Sequence, residues 1–131
     1  MKYKHIIWDW NGTLLDDAWL CVEILNTMLD ARGMRKTNLL QYQNDFDFPV
    51  FEYYVKLGFD FKKEKFDDIA REYIGAYQAQ FHKCSLRRGI VDFIEQIRSR
   101  GLSQSVLSAS QHSSLLTAVE KYNLTHLFEN I

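Results

Sequence analysis

Asp9, Asn11 and Thr13 stand at alternate positions directly after the apolar run Ile6, Ile7, Trp8, within the segment HIIWDWNGTLLDD. An aspartate at the end of a buried strand can coordinate a hard cation such as Mg²⁺, and it can attack an electrophilic phosphorus. Gly12 permits a tight turn away from the strand, and the Thr13 hydroxyl can tie that turn together. A second candidate is Ser108, near the end of SQSVLSAS, whose hydroxyl could hold a phosphoryl oxygen. Each has a plainer alternative: Asp9 as an ordinary strand-end carboxylate, Ser108 as an ordinary strand-end hydroxyl. Asp16 and Asp17 read as acidic charges at a helix start, and Ser110 or Ser113 as a helix cap.

The elements that must position these groups follow from apolar periodicity. HIIW reads as a short, continuously apolar strand of the kind covered on both faces. From Asp16 the pattern turns helical, with Leu20, Ile24, Leu25, Met28 and Leu29 on one side and Gly33 as terminator. Pro49 suits the first turn of a further helix carrying Phe51, Tyr54, Val55 and Leu57. Residues 61–84 read as one long helix with the stripe Phe66, Ile69, Tyr73, Ala76, Tyr77 and Phe81. Residues 16–85 are thus expected to form a helical insertion, with residues 1–15 and 86–131 forming an α/β core. In that core, Ile90, Phe93, Ile94 and Ile97 mark a helix, LSQSVLSAS a second strand and HSSLLTAVEKYNL another helix. FENI reads as the entry to a third strand. Strands alternating with helices predict a parallel sheet, whose carboxyl-end crevice is the ligand side.

Composition narrows the partners. Sixteen basic and seventeen acidic side chains leave a formal charge of −1, so no basic field exists to hold a nucleic-acid backbone. No apolar run approaches the roughly 20 residues of a membrane span, and the N-terminal run is too short for a signal peptide. Cys21 and Cys84 lack zinc-type or redox-type spacing and read as reduced, buried thiols. His5, His82, His112 and His126 are scattered without ligand spacing. These features predict a cytoplasmic protein that binds neither nucleic acid nor membrane. The aromatic residues crowd between Phe46 and Phe81, which predicts a ring-rich core for the insertion.

DWNGTLLD resembles the first motif of the haloacid dehalogenase-like hydrolases, aspartate–x–aspartate–glycine–threonine–leucine, and VLSAS resembles their second motif. The helical insertion is placed like that family's cap, and LRRGIVDFIEQIRSRG like the helix that returns the chain to the core. The resemblance covers essentially all 131 residues. It implies a Rossmann-like parallel core, incomplete at its C-terminal side, with an inserted α-helical cap. It further implies a hydrolase similar to phosphoglycolate phosphatases, acting on a small phosphorylated metabolite. Asp9 would be the nucleophile and form an aspartyl phosphate. Mg²⁺ would be held by the Asp9 carboxylate and the Asn11 backbone carbonyl, and Thr13 and Ser108 would contact the substrate.

Two departures qualify what the resemblance implies. Asn11 stands where the family's phosphatases carry an aspartate that acts as general acid/base, a role a carboxamide cannot fill. Such help is worth ~10²–10⁴ in rate, so slow phosphatase chemistry is expected. The family's phosphate-pairing lysine and metal-binding acidic pair lie further downstream, and Lys121 is not given that role. The alternatives are a non-catalytic binding or assembly protein, or a phosphonate or carbon–halogen hydrolase. Exposed sheet edges would allow self-association.

Overall fold

Strand β1 (His5–Trp8) and strand β4 (Ser103–Val106) pair in parallel, His5 opposite Ser103 and Trp8 opposite Val106, in the computed structural model, which describes residues 2–131. The expected third strand entry is present. Glu129 donates its backbone N–H to the Gln104 carbonyl at 2.7 Å, and Asn130 accepts from Val106 N at 3.0 Å. Asn130 therefore pairs in parallel along the edge of β4 away from β1.

Helix α5 (Ile90–Ser99) lies against the sheet face that carries Trp8 and Gln104. Trp8 meets Phe93 edge-on at 6.2 Å and donates its indole N–H to Gln104 Oε1 at 2.8 Å. Gln104 is 1% exposed and donates to the Ile94 carbonyl, so its buried amide is satisfied on both sides. The opposite face departs from expectation. Ile7 there is 63% exposed, while Ser105 opposite it is buried. The His5 ring shares hydrogen bonds with Ser103 and Ser105 on that face, which makes it half polar. An apolar run specifies extension but cannot specify what covers each face. Helix α6 (His112–Lys121) contributes Leu115, Ala118 and Val119 to the core, joined by Leu124 and Leu127.

The chain divides into two compact units, residues 1–16 with 85–131, and residues 17–84. The second is wholly helical: α1 (Ala18–Ala31), α2 (Leu39–Asp45), α3 (Val50–Leu57), α4 (Phe66–Gln80) and a 3₁₀ turn (Phe81–Lys83). Leu20, Ile24, Leu25, Met28 and Leu29 of α1 are buried with Tyr53, Tyr54, Phe59 and Ile69. The predicted long helix is shorter, because Asp60 organises a turn before it. Its side chain accepts from Lys62 N and its carbonyl from Lys63 N and Glu64 N, so α4 begins only at Phe66. Arg32, just past α1, reaches Glu64 at 2.8 Å and Glu72 at 2.7 Å and lies over the Phe59 ring.

Asp17 precedes α1 yet makes no capping bond. It is 2% exposed, and its carboxylate accepts the Tyr77 hydroxyl at 2.6 Å. The expected helix-start charge is thus a buried hydrogen-bond partner. Asp16, also expected there, belongs to a short antiparallel ribbon that pairs β2 (Leu15–Asp16) with β3 (Ser85–Leu86). Two residues per strand leave no periodicity to detect. Cys21 and Cys84 are buried and unbridged. No helix among the described residues is long and apolar enough to cross a membrane.

Candidate active site

The parallel register sets the site. Leu107 N donates to the Trp8 carbonyl at 2.8 Å, one step beyond the paired strands, so both chains leave the sheet at the same end. Asp9 and Ser108 emerge there side by side. With Ile7, Trp8, Leu107 and Ala109 they line a cleft of about 550 Å³. Asp9 is the one titratable side chain among these lining residues.

The turn after Asp9 is built on one carbonyl. Trp10 is 1% exposed, and its oxygen accepts from Thr13, Leu14 and Leu15 N at 3.0–3.2 Å. Gly12 takes φ +72°, a left-handed conformation that a side chain would resist. The turn brings Thr13 back over the strand end, where its hydroxyl donates to Asp9 Oδ2 at 3.2 Å. Thr13 therefore orients the carboxylate, and it is not among the residues that line the cleft.

Sequence reasoning missed Arg87. Its Nε donates to the Thr13 carbonyl and its terminal NH₂ to the Gly12 carbonyl, each at 2.9 Å, while its backbone N–H donates to Leu14 O at 2.8 Å. One guanidinium thus braces the turn that presents Asp9. These partners lie 74 and 75 residues away in sequence, and nothing in local spacing signals them.

Asn11 is tied to the second strand end. Its Oδ1 accepts the Ser110 hydroxyl at 2.9 Å and the Ser108 hydroxyl at 3.3 Å. Ser110 N–H in turn donates to Ser108 Oγ at 3.1 Å. Ser110 is therefore not the expected helix cap; Gln111 holds the cap position of α6 without a side-chain bond, and Ser113 lies inside the helix. His112 shares a hydrogen bond with the Ile131 carbonyl at 2.9 Å.

Among the described residues no cluster of three or more His, Cys, Asp or Glu could hold a metal ion. The Asp9 carboxylate is nevertheless the kind of oxygen donor a hard divalent cation takes, since such a cation commonly uses one or two carboxylates and completes its shell with water and substrate phosphate.

A parallel α/β sheet whose first crossover carries a helical unit, with a carboxylate and a hydroxyl at adjacent carboxyl ends, defines a Rossmann-like α/β protein. Haloacid dehalogenase-like hydrolases match residues 6–131, and the chain belongs to that family. Members of the family generally use a divalent metal ion. Solved structures share the fold. A predicted phosphoglycolate phosphatase from Lactobacillus plantarum matches with a TM-score of 0.81 at 20% identity, over 100% of this chain and 62% of its own. A haloacid dehalogenase-like family hydrolase from Streptococcus pneumoniae matches at 0.79 and 17% identity, over 98% of this chain and 60% of its own. A predicted phosphoglycolate phosphatase from Haemophilus somnus 129PT matches at 0.77 and 14% identity, over 99% of this chain and 62% of its own. This chain thus spans less than two thirds of the length of each. No curated protein sequence matches it.

Proposed function

We propose that the chain is a Mg²⁺-dependent phosphohydrolase that releases phosphate from a small phosphorylated metabolite by way of an aspartyl phosphate. The observation that carries this reading is the pairing of Asp9 and Ser108 in one cleft at neighbouring strand ends. Phosphatase names among the structural relatives support it. In this reading a carboxylate oxygen of Asp9 attacks phosphorus, an Asp9 O–P bond forms, and the P–O bond to the leaving group breaks. Water then attacks the same phosphorus and frees Asp9. Thr13 holds the carboxylate through Oδ2, leaving Oδ1 to attack, and Ser108 supplies a hydroxyl donor to the phosphoryl oxygens. Mg²⁺, held by the Asp9 carboxylate and the Asn11 backbone carbonyl, would neutralise charge on the phosphoryl group. Asn11 transfers no proton, so turnover is slow. The buried, unbridged cysteines suit a cytoplasmic setting, and the near-neutral charge suits a metabolite rather than nucleic acid.

Phosphate release from p-nitrophenyl phosphate with Mg²⁺, compared between the wild type and Asp9→Asn, tests the reading. Loss of release in the variant is expected; a variant as fast as the wild type refutes it. A second reading, a phosphate-binding module without turnover, is favoured by the engagement of the Ser108 hydroxyl with Asn11 Oδ1. It predicts phosphate binding that depends on Ser108 but no release from any ester.

A further inference from the structure

Resting on the phosphohydrolase reading, we infer that Arg87 is a positioning residue for the Asp9 nucleophile and that it acts through Thr13. Three consecutive carbonyls of the turn accept from this one residue. The Gly12 carbonyl takes the Arg87 terminal NH₂ and the Thr13 carbonyl its Nε, each at 2.9 Å, and the Leu14 carbonyl takes its backbone N–H at 2.8 Å. The first two carbonyls belong to the peptide groups on either side of Thr13. A residue has only two soft backbone dihedrals, one beside each of its peptide groups. Pinning both planes therefore fixes φ and ψ of Thr13, and with them the direction of its Cα–Cβ bond. The β-branched side chain is itself stiff at χ1. The hydroxyl so directed donates to Asp9 Oδ2 at 3.2 Å.

The planar fork matters here more than the charge. Nε and a terminal nitrogen of a guanidinium lie in one rigid plane and address two acceptors at once, whereas an ammonium is a point of charge on a flexible stem. Arg87 is exposed, so water competes for both bonds and the charge itself stabilises little. What the bonds supply is direction. The turn closes by itself, because the N–H groups of Thr13, Leu14 and Leu15 already gather on the Trp10 carbonyl. The tilt of the two peptide planes around Thr13 is what Arg87 decides. Without Arg87 the turn stays closed, but the Thr13 hydroxyl releases Oδ2 and the Asp9 carboxylate turns about its side-chain bonds. Oδ1 is then presented to phosphorus less often, so kcat falls. Binding of the phosphoryl group through Ser108 does not pass through this chain of contacts, so KM holds.

A double-mutant cycle on kcat tests the path. Arg87→Met, Thr13→Val and the double variant are compared with the wild type for phosphate release from p-nitrophenyl phosphate with Mg²⁺. Far-ultraviolet circular dichroism checks that each is folded. Each single variant is expected to lower kcat about tenfold with KM little changed, the scale of one lost hydrogen bond. Both changes free the same Asp9 oxygen, so the double variant is expected within about twofold of the slower single variant. Losses that multiply to about a hundredfold show two independent effects and overturn the inference. So does an Arg87→Met variant that keeps the wild-type kcat, or one whose loss lies in KM alone. If Arg87→Met does not fold, the cycle is run with Arg87→Lys, which keeps the charge and gives up the fork. A smaller loss of kcat is then expected, and it vanishes in the Thr13→Val background; a loss that persists there overturns the inference. All of these outcomes leave the phosphohydrolase reading standing. That reading fails separately, and takes the inference with it, when Asp9→Asn releases phosphate as fast as the wild type.

Discussion

Raising the pH above 10 is expected to unfold the helical unit in one cooperative step, with its tyrosines ionising only as it opens. Five of the seven tyrosines lie in residues 17–84: Tyr42, Tyr53, Tyr54, Tyr73 and Tyr77. Burial is the leading cause that raises each of them. Tyr53 and Tyr54 are pushed up to about 12, and Tyr42, Tyr73 and Tyr77 are held higher still. For Tyr77 the hydrogen bond to Asp17 adds to burial. Burial raises the Cys21 thiol in the same sense. An unfolded chain releases phenolic protons near pH 10, whereas the folded unit retains them. Between these values the folded state binds more protons, so stability falls as pH rises. Each retained proton contributes about 1.4 kcal/mol per pH unit, and five contribute about 7 kcal/mol per unit. A small domain holds roughly 5–15 kcal/mol in total, so its stability is exhausted between about pH 10 and 12. Tyrosinate absorbance and far-ultraviolet circular dichroism should be followed together against pH. Coincident, cooperative transitions are expected. Gradual tyrosine ionisation centred near pH 10 with the helical signal intact would refute the reasoning.

Three further outcomes follow from single contacts. Tyr77→Phe removes the donor to a buried carboxylate and should cost ~1.5–3 kcal/mol in urea denaturation; an unchanged midpoint contradicts this. Arg87→Met removes two charge-assisted but exposed bonds to the Gly12 and Thr13 carbonyls. The turn should lose about 1–2 kcal/mol, seen as a roughly tenfold drop in kcat for phosphate release with KM little changed, and Arg87→Lys should recover part of it. Arg32→Met breaks the bridges to Glu64 and Glu72 and should lower stability by about 1 kcal/mol at neutral pH. The Arg32 guanidinium holds the Glu64 carboxyl below its ordinary value. Its contribution is therefore present above the unfolded carboxylate range and is lost as pH falls through the folded value. The gap between variant and wild type should close in acid; a gap independent of pH argues against the ion pair.

Local pattern revealed the elements because each rests on short-range physics. Ile6, Ile7 and Trp8 extend, Gly12 turns, and the α1 stripe from Leu20 to Leu29 buries one face of a helix. Boundaries were less legible. Asp60 draws three following N–H groups into a turn and delays α4, an effect invisible to a count of apolar spacing. The Leu15–Asp16 ribbon escaped because its partners, Ser85 and Leu86, return only after the whole helical unit.

The division at the site has the same cause. The strand-end position of Asp9 and the turn after it follow from adjacent residues alone, so the sequence by itself determined the carboxylate, its glycine and its nearby threonine. The neighbours of Asn11 and of the turn were decided by tertiary structure. Ser110 comes from 99 residues away and Arg87 from 75, brought in by the parallel register and the ribbon. Hydrogen bonds of that separation depend on where two chain segments cross in space, and no local spacing encodes the crossing.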